Sequence, residues 1–256
     1  MAELRRLLIE NIRLKNNIGV DRSLSLEPQE AHYLKRVLRL RRGDLIEIVD
    51  GVGHLWGAVF QGDTSIKVSS LLDFPLKTQP RPKPLVGLAV VVPKRGFNEL
   101  LRMSCEIGVD IIQPLSSDRG VVRIQINGEK FSRWNGILRE AVEQCERLWK
   151  PELREAIDFR VWLEQRPSKA IFAFATTRLI GTIDFQLWMM ELKKEMDQIW
   201  VVIGPEGGWT KTEQNLAKQA NFKEIQLGDS IMRTSTAAVA ATQLMISWRR
   251  NGSFYF

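Results

Sequence analysis

Residues 199–213 read IWVVIGPEGGWTKTE, and this stretch sets the class of the fold. Five apolar residues in a row predict a strand buried on both faces, the kind found in parallel sheets. Gly204-Pro205-Glu206-Gly207-Gly208 follows at once, and Thr210 with Glu213 forms the signature of a capping box opening a helix. Three glycines within five residues let the backbone take up positive φ and come close to a ligand. In open parallel sheets ligands sit beyond the carboxyl ends of the strands, where this loop lies. An ordinary tight strand-to-helix turn is the alternative reading of the same spacing.

Working outward, strands and helices alternate on both sides. LVGLAVVV (85–92) is a second continuous apolar run, then come a helix near 96–107, a strand near 109–113 and a long helix near 131–148. AIFAFA (170–175) precedes a helix near 184–196. Beyond the glycine loop lie a helix at 211–220, EIQL (224–227) and a last helix at 234–249. Such alternation predicts an α/β domain with a parallel sheet. The last helix carries Ala237, Ala238, Val239, Ala240, Ala241, Leu244, Met245, Ile246 and Trp248, so it should be buried on nearly all sides, either within one subunit or at a two-fold interface.

Residues 75–84, PLKTQPRPKP, hold four of the ten prolines and read as a semi-rigid linker. Before them the signals are β: 4–9, 45–50, 54–60 and 66–72, with a turn at Asp50-Gly51 and a short helix over 28–40. The chain therefore divides into a small barrel or curled sheet at 1–74, the linker, and the α/β domain at 85–256. Within the first part, KRVLRLRR (35–42) places five cations among Val37, Leu38 and Leu40. The segment can pack on one side and offer guanidiniums to phosphates on the other, or be a plain solvated face.

Composition narrows the chemistry. The chain has 256 residues, 44% hydrophobic and 26% charged, enough to bury a core unaided. Its formal charge of +7 favours polyanionic partners. No run of about 18–20 apolar residues is present, so no membrane span is expected, and the charged opening MAELRRLLIENIRLK is unlike a signal peptide. A soluble cytoplasmic protein is expected. Two cysteines without a CxxC pair, Cys105 and Cys145, exclude a zinc knuckle, and two histidines, His32 and His54, leave little for a metal site or a histidine triad. No metal is expected. The glycine loop lacks the Gly-Lys-Ser/Thr ending of a P-loop, and Gly51, Gly53 and Gly57 have the wrong spacing for a dinucleotide fingerprint.

Two segments together resemble a known family. Ile203-Gly-Pro-Glu-Gly-Gly208 and Leu227-Gly228 with Ile231-Met-Arg-Thr-Ser-Thr-Ala237 are similar to the signature of the RsmE family, SPOUT-class methyltransferases that modify N3 of a uridine in small-subunit (16S) ribosomal RNA. Arg36-Val-Leu-Arg39 with Gly43, Lys94-Arg-Gly96 through Glu106-Ile-Gly-Val109, Ser117-Asp-Arg119 and Glu143-Gln-Cys-Glu-Arg147 resemble further family segments in the same order. The chain departs from the family pattern at Ser235, where that pattern has Glu, and at Glu146, where it has Gly.

The resemblance implies a SPOUT parallel sheet with a C-terminal trefoil knot, against the general rule for unknotted chains, and a PUA-like β-barrel in front of it. It also implies a homodimer and S-adenosylmethionine held by Ile203, Gly204, Glu206, Gly207, Gly208, Leu227, Gly228, Ile231, Met232, Arg233, Thr234, Thr236 and Ala237. Arg233 is the expected catalytic residue, stabilising charge on the uridine ring. Arg5, Arg6, Lys35, Arg36 and Arg39 are expected on RNA phosphates, with Arg95, Arg119 and Arg147 lining the cleft. The partner would be ribosomal RNA or the small subunit. The rival readings are a methyltransferase with an open Rossmann-like sheet, disfavoured because Val92-Pro-Lys-Arg-Gly96 after the first strand has one glycine, and a non-catalytic RNA-binding or ribosome-assembly protein on the same scaffold.

Overall fold

The structure is a computed structural model that describes residues 5–62, 64–121, 128–177, 181–193 and 195–251. Leu4 of the expected first strand and Lys194 of the expected helix 184–196 lie outside them. The chain forms two compact units, the first made of residues 1–81 with 139–150 and the second of 82–138 with 151–256.

In the first unit β1 (Arg6–Leu8), β2 (Ser23–Ser25), β3 (Leu45–Val49), β4 (His54–Gly62), β5 (Ser65–Val68) and β6 (Lys77–Thr78) form a sheet of order β1-β3-β4-β5-β2, with β6 on β4. Side chains alternate along β4 and β5, so Trp56, Ala58, Phe60, Ile66 and Val68 turn inward with Leu7, Leu24 and Leu34. Helix α1 (Asn11–Asn17), which the sequence reading leaves out, inserts Leu14 into that core. The expected helix 28–40 is shorter: α2 (Pro28–His32) gives way to a wider π-turn at Tyr33–Val37, and Arg39 takes φ +57°, which ends it.

Two expectations are corrected here. Lys77–Thr78 pair with His54–Leu55, so the proline-rich stretch is not a free linker over those residues. Proline at 75 and 80 flanks the pairing without interrupting it. Residues 139–150 belong to the first unit because they carry its buried polar contacts. Glu143 accepts from the Leu8 amide at 2.9 Å, and Arg139 donates to the Leu8 carbonyl at 2.6 Å and to Glu30 at 2.7 Å. Burial works to raise the Glu30 carboxyl, but hydrogen bonds from Arg13 and Arg139 hold it below the ordinary glutamate value. Burial raises Glu143.

The second unit contains β7 (Leu85–Val91), α3 (Phe97–Ile107), β8 (Ile111–Ser116), α4 (Gly128–Gln144, whose last turns count with the first unit), β9 (Glu152–Leu153), β10 (Ile157–Asp158) and α5 (Phe159–Gln165). It continues through β11 (Ala170–Ala175), β12 (Ile183–Asp184), α6 (Phe185–Met190), β13 (Gln198–Ile203), α7 (Lys211–Gln219), β14 (Lys223–Gln226) and α8 (Thr234–Asn251). The sheet order is β10-β8-β7-β13-β11-β14-β12 with β9 beside β8, and every pairing is parallel. This is the α/β architecture expected from the alternation.

Gly87 shows how tightly that sheet is covered. It stands opposite Trp200 in the β7–β13 register, and a Cβ there would lie 2.2 Å from the indole. Trp200 is fully buried among Phe172, Trp162 and Phe174 on one face. On the other face α8 packs against β7, β13 and α3. Its buried residues are Thr234, Ala237, Ala238, Ala241, Thr242, Met245 and Ile246. Val239, Ala240 and Leu244 are half-exposed, and Thr236 and Gln243 exposed, so α8 is buried along one face in the described chain rather than on nearly all sides.

Candidate functional site

A pocket of about 500 Å³ opens at the carboxyl ends of β11, β13 and β14. Its floor is the loop after β13. Gly208 has φ +68° and its amide donates to the Pro205 carbonyl at 2.9 Å, closing a turn that a side chain at 208 would strain. Gly204 lies under Trp209, where a Cβ would come within 2.7 Å of the ring. Trp209 is anchored in turn by its indole N–H donating to the Ala175 carbonyl at 3.1 Å. The capping box expected at Thr210 and Glu213 is present and fixes the start of α7.

The second wall is the segment after β14. Leu227 to Met232 line the pocket, and Gly228 takes φ +144°, where a side chain would be strained. Thr234, the first residue of α8, donates from its hydroxyl to the Gly204 carbonyl at 2.9 Å and so ties this wall to the floor. The two sequence segments that carry the family resemblance therefore meet in space.

A third wall was not legible from motifs. Ala175, Thr176 and Thr177 at the end of β11, with Thr182, Gln226 and Asp229, complete the cavity. The Thr176 amide donates to the Ile225 carbonyl at 3.0 Å, but its buried hydroxyl has no protein partner among the described residues. The signal available was the run AIFAFATT, a buried strand ending in polar residues beside the strand that carries the glycine loop.

Of the residues expected at this site, Ile203, Gly204, Glu206, Gly207, Gly208, Leu227, Gly228, Ile231, Met232, Thr234 and Ala237 line the pocket. Arg233 and Thr236 do not; both are exposed. Arg119 joins the rim, donating from Nη1 to the Gly207 carbonyl at 3.2 Å. Arg95 is exposed in the same unit.

In the first unit Arg5, Lys35, Arg36 and Arg39 are exposed and Arg147 is half-buried. Leu34 is buried and Leu38 and Leu40 pack on the core, so the basic segment turns its leucines inward and its cations outward; Val37 is itself exposed. Arg6 is a correction. Its side chain is 12% exposed and paired with Glu47 at 2.6 Å and Glu146 at 3.2 Å, so it is engaged within the protein rather than open to phosphate. No group of three or more His, Cys, Asp or Glu with metal-holding geometry occurs among the described residues, and no described helix is long and apolar enough to cross a membrane.

Comparison with known proteins extends these observations. A family model described as an RNA methyltransferase domain matches residues 80–246, and an RNA methyltransferase PUA domain matches residues 26–70. The ribosomal RNA small subunit methyltransferase E of Synechocystis is 32% identical over 223 residues, covering 87% of this chain and 72% of that one. The protein of the same name from Buchnera aphidicola (subspecies Schizaphis graminum) is 27% identical over 94% of this chain and 97% of its own. A crystal structure of the Neisseria gonorrhoeae ribosomal RNA small subunit methyltransferase E bound to S-adenosyl methionine superimposes with a TM-score of 0.78 at 26% identity, covering 96% of this chain and 98% of that one.

Proposed function

The chain belongs to the ribosomal RNA small subunit methyltransferase E family, and from that membership we propose that it methylates N3 of a uridine in small-subunit ribosomal RNA, using S-adenosylmethionine. The observation that carries the reading is the pocket built jointly by the Gly204–Trp209 loop and the 227–234 segment.

The residues present fit that cofactor. Gly204 lets Trp209 close down on the loop that floors the pocket, and Glu206 and Asp229 supply carboxylates suited to a molecule carrying sulfonium and ammonium charges. Leu227, Ile231 and Met232 offer apolar surface, and the backbone at Gly207 and Gly228 can approach a planar base closely. When bound, S-adenosylmethionine supplies an electrophilic methyl group, so the protein's own task is largely alignment.

Uridine N3 lies on the pairing edge of the base, so the target must be unpaired or extruded before it can enter. Loss of the N3 proton leaves negative charge on the ring. Arg233, exposed and set in the chain between the pocket-lining residues Met232 and Thr234, is the residue that would meet that charge. Lys35, Arg36 and Arg39 of the first unit, together with Arg5, would hold phosphates, and Arg95 and Arg119 would flank the target.

The half-exposed Val239, Ala240 and Leu244 on α8 support a homodimer through that face. The family also supports a trefoil knot at the C-terminal segment, a PUA-like barrel in the first unit and action in the cytoplasm. Mass spectrometry of 16S ribosomal RNA after incubation of unmodified small subunits with the protein and S-adenosylmethionine tests the reading. A gain of one methyl group at a single uridine, blocking its pairing edge, is expected. Binding of RNA without methyl transfer would instead establish the non-catalytic alternative.

A further inference from the structure

Glu213 does more than cap a helix. It is 1% exposed, and its Oε2 accepts from the Thr210 amide at 2.8 Å and from the Thr210 hydroxyl at 2.9 Å, which completes the capping box. Capping needs nothing further. Yet Oε1 accepts from the amide of Asp118 at 3.0 Å, a residue 95 positions earlier in the chain. The Asp118 side chain is held too: its carboxylate receives Nη2 of Arg160 at 2.7 Å and lies 3.3 Å from the Thr210 hydroxyl.

Asp118 sits inside a turn closed by the Gly120 amide on the Ser117 carbonyl at 3.0 Å. The next residue in that turn is Arg119, whose guanidinium donates to the Gly207 carbonyl on the pocket rim. Gly207 has no side chain there, and a Cβ would stand 3.2 Å from the Cβ of Arg119, so the turn and the glycine loop are in direct contact. A buried carboxylate thus connects the start of α7 to the turn that places Arg119 on the pocket rim.

We propose that Glu213 is a positioning residue for the cofactor site, acting through Arg119: it fixes the Ser117–Gly120 turn so that Arg119 keeps the Gly207 carbonyl and presents its positive charge at the pocket rim. The inference rests on the cofactor reading above and goes beyond it by assigning a role to a residue that does not line the cavity.

Glu213→Gln is informative because of the donors that surround the side chain. A glutamine turns its carbonyl toward Thr210, where two donors converge, and leaves its NH₂ facing the Asp118 amide, donor against donor. The cap survives while the backbone tether to the turn is lost, leaving Asp118 its side-chain contacts with Arg160 and Thr210.

Calorimetric titration with S-adenosylmethionine of the unaltered full chain, Glu213→Gln, Arg119→Ala and the double variant tests this. Each single change should weaken binding about tenfold, the scale of one hydrogen bond to a charged group. The double variant should be no weaker than Arg119→Ala alone, since the two act in series. Arg160→Ala loosens Asp118 from the solvent side and should weaken binding in the unaltered chain but not beside Arg119→Ala. A Glu213→Gln protein that binds like the unaltered chain, or a double variant weakened by the product of the single effects, overturns the inference while leaving the cofactor reading intact. Failure of the unaltered chain to bind overturns both.

Discussion

The hydroxyl of Thr234, the first residue of α8, donates to the carbonyl oxygen of Gly204 at 2.9 Å, joining two chain positions 30 residues apart across one wall of the pocket. Thr234 is 4% exposed, so the bond is shielded from water. Thr234→Val removes the donor while keeping the shape, and leaves a carbonyl short of a partner. A net loss of about 1 kcal/mol is expected, seen as a roughly fivefold rise in the dissociation constant for S-adenosylmethionine. Thr234→Ser should bind like the unaltered chain. Equal affinity for the valine and serine variants would show that the bond does not shape the pocket.

The role proposed for Arg233 gives a test that separates catalysis from binding. It is exposed and does not line the cavity, so Arg233→Ala should leave cofactor affinity and melting temperature unchanged. Turnover of a saturating RNA substrate should fall by more than about tenfold, equivalent to about 1.4 kcal/mol of transition-state stabilisation. A smaller loss in a single-turnover assay would remove Arg233 from the chemical step.

Gly87 is a fold position rather than a site position. Its missing Cβ makes room for Trp200, and no flexible side-chain end is available to yield, since the nearest atoms are the fused ring carbons at 2.2–2.5 Å. Gly87→Ala should destabilise the chain by about 1–3 kcal/mol in urea unfolding, the usual cost of overpacking. An unchanged midpoint would mean that the β7–β13 sheet can open without cost.

Glu146 stands where the family resemblance leads one to expect glycine, and its backbone takes φ +62°, a conformation that favours glycine. The conformation costs an ordinary residue about 1 kcal/mol. Its pairing with Arg6, with the Glu146 side chain 44% exposed, offsets between 0 and about 1 kcal/mol. Glu146→Gly should therefore be neutral or stabilising by up to about 1 kcal/mol, whereas Glu146→Ala loses the ion pair and keeps the strain. Thermal unfolding of the two variants should rank glycine above alanine; the reverse order would mean that the positive φ carries no strain.

Glu30 gives the first unit an acid-sensitive element. Its carboxyl lies below the ordinary value in the folded chain despite burial, because Arg13 and Arg139 bond to the charged form. The unfolded chain then binds the proton more readily, so this contribution is present above about pH 4.3 and is lost as the pH falls through the depressed folded value. Glu143 is raised by burial, which has the opposite sign. Unfolding between pH 7 and pH 3 should show a shallower acid loss for Glu30→Gln than for the unaltered chain. Parallel curves would mean that Glu30 carries no linkage.

The elements that could be read from sequence were those with a pattern long enough to have a period. AIFAFA at 170–175 is recovered residue for residue, and the runs at 85–92 and 199–203 fall within one residue of β7 and β13, because strands buried on both faces must be apolar throughout. Glu152–Leu153, Ile157–Asp158 and Ile183–Asp184 were invisible, since two residues have neither period nor propensity to weigh. The return of residues 139–150 to the first unit depends on a buried polar cluster, Arg139, Glu143 and Glu30, and charged residues in a helical run read as solvent-facing. At the site, glycine-bearing loops announced themselves, while Thr176, Gln226 and Asp229 did not. They reach the pocket only because parallel pairing sets β11, β13 and β14 side by side.

The pocket wall formed by Leu227 to Met232, with Thr234 and Ala237, follows every strand of the described sheet in the chain. A polypeptide emerging from the ribosome in the amino-to-carboxyl direction would thus hold every strand of that sheet before the helix that covers one of its faces and before the second wall of the pocket. Competence would arrive late, with the segment that carries residues 227–237 and the helix it opens, so incomplete translation products would lack the second wall of the pocket.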